Sequence, residues 1–117
     1  MKNKEATRYA SEIQEKRVAN KIGGKINSNS GAGLWDKGDI HIPEASLLIE
    51  CKTSMIERNS FSIKKEWIEK NREEAFSNRL SNHAIAFNFY YEDSKDYYVI
   101  DDKLMRFLVD KLKEENS

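Results

Sequence analysis

Asp39, Glu50 and Lys52 are the residues whose types and spacing point to chemistry. They lie in "GDIHIPEASLLIECK", residues 38–52, which reads as two short strands joined by a turn at Pro43-Glu44-Ala45. A strand alternates its faces with period two, so Glu50 and Lys52 point one way, and Leu47, Ile49 and Cys51 point the other. On the first strand Asp39 and His41 share one face, and Ile40 and Ile42 the other. If the strands pair as a hairpin, Asp39 and Glu50 converge. Two carboxylates held together are costly unless a positive charge sits between them. A hard divalent cation does that, taking oxygens from carboxylates, backbone carbonyls and water. Lys52 would then stand beside the metal, near a bound phosphate or attacking water. The alternative is a surface strand with a cross-strand ion pair, for the bare spacing is common. The apolar "LLI" before Glu50 argues for a central strand, where unpaired charge is unfavourable.

Two helices must frame this hairpin. In the first, positions 15, 18, 19 and 22 lie on one face. They are Glu15, Val18, Ala19 and Ile22, so a glutamate heads an apolar stripe, with Glu12 one turn earlier. The alternative is a stripe that ends sooner, with Glu15 solvated. Lys16, Arg17 and Lys21 lie off the stripe, open to solvent or phosphates. In the second helix Lys64, Trp67, Ile68, Asn71 and Ala75 share a face. Lys64 sits at its N-terminal end, where the helix already favours anions; the alternative is a lysine snorkelling from a core edge. Cys51 reads as a core residue whose carbonyl can still ligate a metal. His41 reads as an exposed strand histidine or a general base, and His83 has no obvious partner.

The full order read from the pattern is a helix over 4–23 stopped by Gly23-Gly24, a short strand at 25–28, and a polar loop "NSNSGAG" at 27–33. Strands follow at about 37–42 and 46–53. A helix capped by Ser62 runs to about Arg79, followed by strands at 83–91 and 96–101 and a helix at 102–115. This α-β-β-β-α-β-β-α order implies an α/β fold: a central mixed β-sheet flanked by helices. At 117 residues, the chain is the size of one domain, residues 1–117. One cysteine excludes an internal disulfide and a multi-cysteine zinc site. No apolar run reaches the roughly 18 residues of a membrane helix, and no signal peptide is visible. A cytoplasmic, non-membrane setting is therefore expected.

Net charge is zero but unevenly spread. Residues 1–25 carry seven Lys/Arg and three Glu, residues 26–51 one Lys and four acids, residues 52–91 seven bases and five acids, and residues 92–117 five bases and eight acids. A basic rim around an acidic middle suits a metal-dependent nuclease, with bases for phosphates and acids for cations. An ordinary mixed-charge surface gives the same counts. On the nuclease view, Lys16, Arg17, Lys21, Lys25 and Lys64 are the candidate DNA contacts.

The "GD…IECK" core resembles the PD-(D/E)xK nuclease superfamily, with Gly38 where many members have proline. "EIQEKRVANKIGGKINSNSGAG", "KGDI", "LLIECKTS" and "SFSIKKEWIEKNREEAF" together look like its phage and archaeal Holliday-junction resolvase branch, over about residues 9–91. The resemblance implies a restriction-endonuclease-like α-β-β-β-α-β core. It implies that Asp39, Glu50 and the Cys51 backbone carbonyl hold Mg²⁺, with Mn²⁺ as substitute. It makes Lys52 the catalytic lysine and Glu15 the helical glutamate, with Glu12 second. Ser30 matches the loop serine that approaches a DNA strand, and Lys64 a basic position opening the second helix. It further implies a homodimer acting on branched DNA in recombination, in a prokaryotic or phage-infected cell, leaving a 5′-phosphate and a 3′-hydroxyl. A four-way junction must be cut twice, symmetrically, which is the reason for two copies. The dimer surface is expected among Phe87–Tyr91, Tyr97-Tyr98 and the final helix. Two other functions stay open: a nuclease of the same superfamily acting on nicked, flapped or linear DNA, and a non-catalytic DNA-binding module.

Overall fold

A computed structural model describes residues 2–26 and 39–117. Helix α1 (Lys2–Ile22) is followed by β1 (Lys25–Ile26), β2 (Ile40–Ile42), a 3₁₀ turn (Pro43–Ala45) and β3 (Leu47–Lys52). Then come α2 (Lys65–Ser77), β4 (Asn82–Phe87), β5 (Tyr97–Val99) and α3 (Asp102–Glu115). The element order is the expected one. The strands form one five-stranded sheet in the order β1-β2-β3-β4-β5. Only β3 and β4 run parallel, with α2 as the connection between them; the other neighbours are antiparallel. The fold is thus α/β with a mixed open sheet, and among the described residues no helix is long and apolar enough to cross a membrane.

The two glycines after α1 have separate reasons. Gly23 adopts φ 88°, a left-handed stop that glycine takes without cost, and its N–H donates to the Ala19 carbonyl at 2.8 Å. Gly24 makes room: a Cβ there would lie 2.5 Å from Ile40 Cγ2 and 2.8 Å from Ile42 Cγ1. Pro43 opens the turn between β2 and β3, and left-handed Ser46 closes it by donating its N–H to the Pro43 carbonyl at 2.9 Å.

Each sheet face has its own helix. Val18 and Ala19 of α1 pack with Ile40, Ile42, Ile49, Ala84 and Ala86 in one cluster, with Cys51 against it. On the other face α2 buries Asn71 and Ala75, over the side that carries Leu48 and Glu50 of β3.

Several boundaries and faces differ from expectation. The buried line of α1 is Ala10, Gln14, Val18 and Ala19, while Ile22 is 43% exposed and Glu15 only half-buried. A polar residue, Gln14, carries that face, so hydropathy placed it one residue late. Ser62 does not cap α2. The helix starts at Lys65 with Lys64 at its N-cap and no side-chain cap bond. The aromatic strand ends at Phe87, because Asn88 to Glu92 turn toward the loop before β5. Phe87 and Phe89 pack with Phe61 and Tyr97 inside the chain. His83 does have partners: Nδ1 lies 3.2 Å from Asn71 Oδ1 and Nε2 3.5 Å from Asp101 Oδ2.

Candidate metal centre and active site

The β2–β3 register pairs Ile40 with Ile49. One step further along, Asp39 meets Glu50 on the opposite face from those isoleucines. Both carboxylates are buried, Asp39 at 1% and Glu50 at 5% exposure. The third member comes from α2. Carboxylate oxygens of Asp39, Glu50 and Glu74 all lie within 4.8 Å of one another. Glu74 is one that sequence reasoning missed. Its signal was the spacing of Trp67, Asn71 and Glu74, an i, i+4, i+7 line on the buried side of α2. A glutamate inside the run "REEAF" reads as a solvated face until the sheet beneath it is placed.

Lys52 completes the group. Its Nζ lies 3.0 Å from Glu50 Oε2 and 4.4 Å above the Trp67 ring. Lys64 Nζ lies 5.6 Å from the same ring. Both sequence-predicted lysines thus lie within cation–π range of one indole. Glu50 Oε1 is buried and has no hydrogen-bond partner among the described residues. An ionised oxygen buried in that way is costly unless a cation or proton meets it. Hard oxygen donors from three clustered carboxylates, with a buried Glu50 oxygen left unsatisfied among them, fit a divalent cation such as Mg²⁺ or Mn²⁺.

The backbone of this centre is anchored from the α1 side. Gln14 is fully buried. Its Nε2 donates to the Lys52 carbonyl at 2.9 Å, the Ala86 carbonyl at 3.2 Å and Asp96 Oδ1 at 3.2 Å. It thereby ties the ends of β3 and β4 together. Cys51, between Glu50 and Lys52, faces α1. Burial, followed by the nearby charges of Glu15, Asp96 and Asp39, pushes its thiol well above the usual range, away from the thiolate form that a nucleophile needs. The Cys51 carbonyl belongs to the β3 backbone, in register with Ala86 of β4.

The remaining expected residues fall differently. Glu15 is half-buried on α1, which packs on the other face of the sheet, and its carboxylate is not one of the three; Glu12 is exposed. Arg17 is a structural cation and does not stand open as a phosphate contact. Its Nε and Nη2 donate to Asp96 at 2.8 and 2.9 Å, and its Nη1 to the Tyr91 carbonyl at 3.0 Å. The hydrogen bond to Asp96 is the main reason its pKa is raised. The long planar side chain reaches the loop before β5, and that geometry was invisible in the helical pattern. Lys21 donates to the Ser94 carbonyl of the same loop. Lys16, Lys25 and Lys64 are exposed. Ser30 lies outside the described residues. His41 is half-buried, and burial, reinforced by Lys25 and opposed by Glu44, lowers its pKa.

Compared with family models, with curated proteins and with solved structures, the chain matches none.

Proposed function

We propose that this chain is a divalent-metal-dependent DNA endonuclease of the PD-(D/E)xK kind, with a restriction-endonuclease-like core, and that its substrate is branched DNA, a four-way junction cut by two copies. One observation carries the reading. Buried Asp39 and Glu50 converge with Glu74, and Lys52 stands 3.0 Å from Glu50 on the side of the indole. The antiparallel β1–β2–β3 meander and the parallel β3–β4 step through α2 are the layout such a core requires, and they support it.

The carboxylates of Asp39, Glu50 and Glu74 would hold the cation. A bound Mg²⁺ supplies Lewis acidity at a phosphate oxygen. Lys52, fixed between Glu50 and Trp67, points its ammonium where negative charge grows on the phosphate, and fixed charges there stabilise the transition state. Lys64 adds a second, exposed cation beside the same indole. Water attacks phosphorus and the bond to the 3′-oxygen breaks. The water's proton leaves toward the carboxylates and the 3′-oxygen takes one up, giving a 5′-phosphate and a 3′-hydroxyl. Glu15, on the opposite sheet face, is the helical glutamate of this reading and stands outside the carboxylate group. Lys16, Lys25 and Lys64 are the basic residues that remain for the DNA backbone, and Ser30 for the loop that approaches it.

The test is cleavage of matched four-way, flapped and linear DNA in Mg²⁺, with Asp39→Asn as control. Two symmetric nicks in the junction, absent in the variant, are the expected result. Cutting only flapped or linear DNA moves the substrate while keeping the chemistry. No cleavage of any of them, with metal bound, leaves the non-catalytic module.

A further inference from the structure

The core of this protein is aliphatic. Among the described residues its buried apolar side chains are alanine, valine, isoleucine and leucine, with no ring among them. Aromatic rings carry the largest apolar area and usually dominate a core, yet here they are held at the surface. Phe61, Trp67, Phe87 and Phe89 are half-buried, and Tyr97 is 44% exposed. Strand register gathers them on the sheet face that carries Glu50 and Lys52. Lys52 of β3 pairs with Phe87 of β4, and Phe87 with Tyr97 of β5; residues directly opposite on neighbouring strands share a face. The Phe87 ring lies 5.9 Å from that of Tyr97 and 5.5 Å from that of Phe61, which in turn lies 6.2 Å from Trp67. Phe89 closes the group at 6.0 Å from Tyr97. A continuous row of rings therefore runs from the indole beside Lys52 to β5. Both ends of the row carry cations. Lys52 and Lys64 Nζ lie 4.4 and 5.6 Å from the Trp67 centroid, and Lys95 Nζ lies 5.7 Å from that of Tyr97.

We infer that this row is a stacking platform for unpaired DNA bases next to the bond that is cut. The inference rests on the nuclease reading for its choice of DNA, and it deepens that reading: the branched substrate presents unpaired bases on one side of the scissile phosphate. Charge and ring chemistry select this occupant. Every base has a π-face that stacks on an aromatic side chain, and every linking phosphate takes a cation, so rings flanked by lysines suit a single strand. A paired duplex keeps its base faces inside its own stack. The apolar face of a partner helix would leave Lys64 and Lys95, both exposed, without an anion. The row begins at Lys52, so a strand stacked on it leads straight from the phosphate at the metal centre. Stacking tolerates any base, so the platform reads the absence of pairing and not the sequence.

Fluorescence anisotropy of a labelled oligothymidylate of about ten nucleotides tests it, in Ca²⁺ and again in EDTA, beside a blunt duplex of the same length. Neither condition needs cleavage. Wild type should bind the single strand. Tyr97→Ala should weaken that binding about 5- to 100-fold and leave duplex affinity unchanged, whereas Tyr97→Phe, which keeps the ring, should bind like wild type. Lys95→Ala should lower the salt slope for the single strand by about 0.7. Phe76→Ala, which removes a ring 83% exposed on α2 and outside the row, should change nothing. Circular dichroism confirms that each variant is folded. No binding of the single strand by wild type in either condition would overturn the platform. So would wild-type affinity in Tyr97→Ala, a Tyr97→Phe as weak as Tyr97→Ala, or equal losses on single strand and duplex. Ring-dependent binding without cleavage of any DNA in Mg²⁺ would keep the platform and remove the nuclease reading; cleavage without single-strand binding would do the reverse.

Discussion

Glu74→Gln should stabilise the metal-free protein and should gain less from added metal than wild type does. Glutamine keeps the shape and one oxygen but removes a charge. Oxygens of the three acids lie within 4.8 Å of one another, so each charged pair repels by about 3.5 kcal/mol at an effective dielectric constant near 20. The variant loses two such pairs. The Lys52 ammonium, solvent and proton uptake reduce the gain, leaving about 1–3 kcal/mol in favour of the metal-free variant. Unfolding entropy of roughly 2.1 cal/mol/K per residue over 117 residues makes 1 kcal/mol worth about 4 °C. Metal-free Glu74→Gln should therefore melt about 4–12 °C above wild type. Excess Mn²⁺ at about a hundred times its dissociation constant stabilises wild type by about 2.7 kcal/mol, or ~11 °C. A tenfold weaker site in the variant brings only about 1.4 kcal/mol, or ~6 °C. Differential scanning fluorimetry with EDTA and with Mn²⁺ measures both. Equal Mn²⁺ shifts in the two proteins would remove Glu74 from the cation site. No shift in wild type would refute the metal centre itself.

Three further outcomes follow from the same geometry. Lys52→Ala should lose cleavage by roughly a hundredfold or more while calorimetry still detects Mn²⁺, because the ammonium contacts Glu50 and the phosphate position; complete loss of metal binding would give Lys52 a different role. Arg17→Ala should destabilise the fold by about 3 kcal/mol by leaving the buried Asp96 carboxylate without its cation. Urea unfolding measures that loss, and the salt dependence of DNA binding should be unaltered, in contrast to Lys16→Ala, which should lower the salt slope by about one unit. His83 and His41 are held neutral, chiefly by burial, with pKa values below their usual 6.5. The unfolded chain then binds more protons between the lowered folded pKa and 6.5, so stability is full above 6.5 and falls as pH drops through that window. His83→Gln should flatten the fall, and an unchanged pH profile would exclude His83 as a contributor.

Local pattern in the sequence determined the element order, the turn at Pro43–Ala45, the glycine stop after α1 and the shared face of Glu50 and Lys52. These depend on alternation, helical period and turn chemistry within a few residues, which the chain carries wherever it folds. The meeting of Asp39 with Glu50 was legible too, because a short turn leaves a hairpin few registers. Tertiary structure alone decided the rest. Glu74 joins the site only because the parallel β3–β4 step lays α2 over the face that carries Glu50. Arg17 leaves the DNA-binding set only because the loop before β5 brings Asp96 to it, 79 residues along the chain. Gln14 takes the buried face of α1 because its amide bridges the ends of two strands, and hydropathy gives a buried amide no weight. Polar groups are buried by the partners that folding supplies, and those partners are distant in sequence.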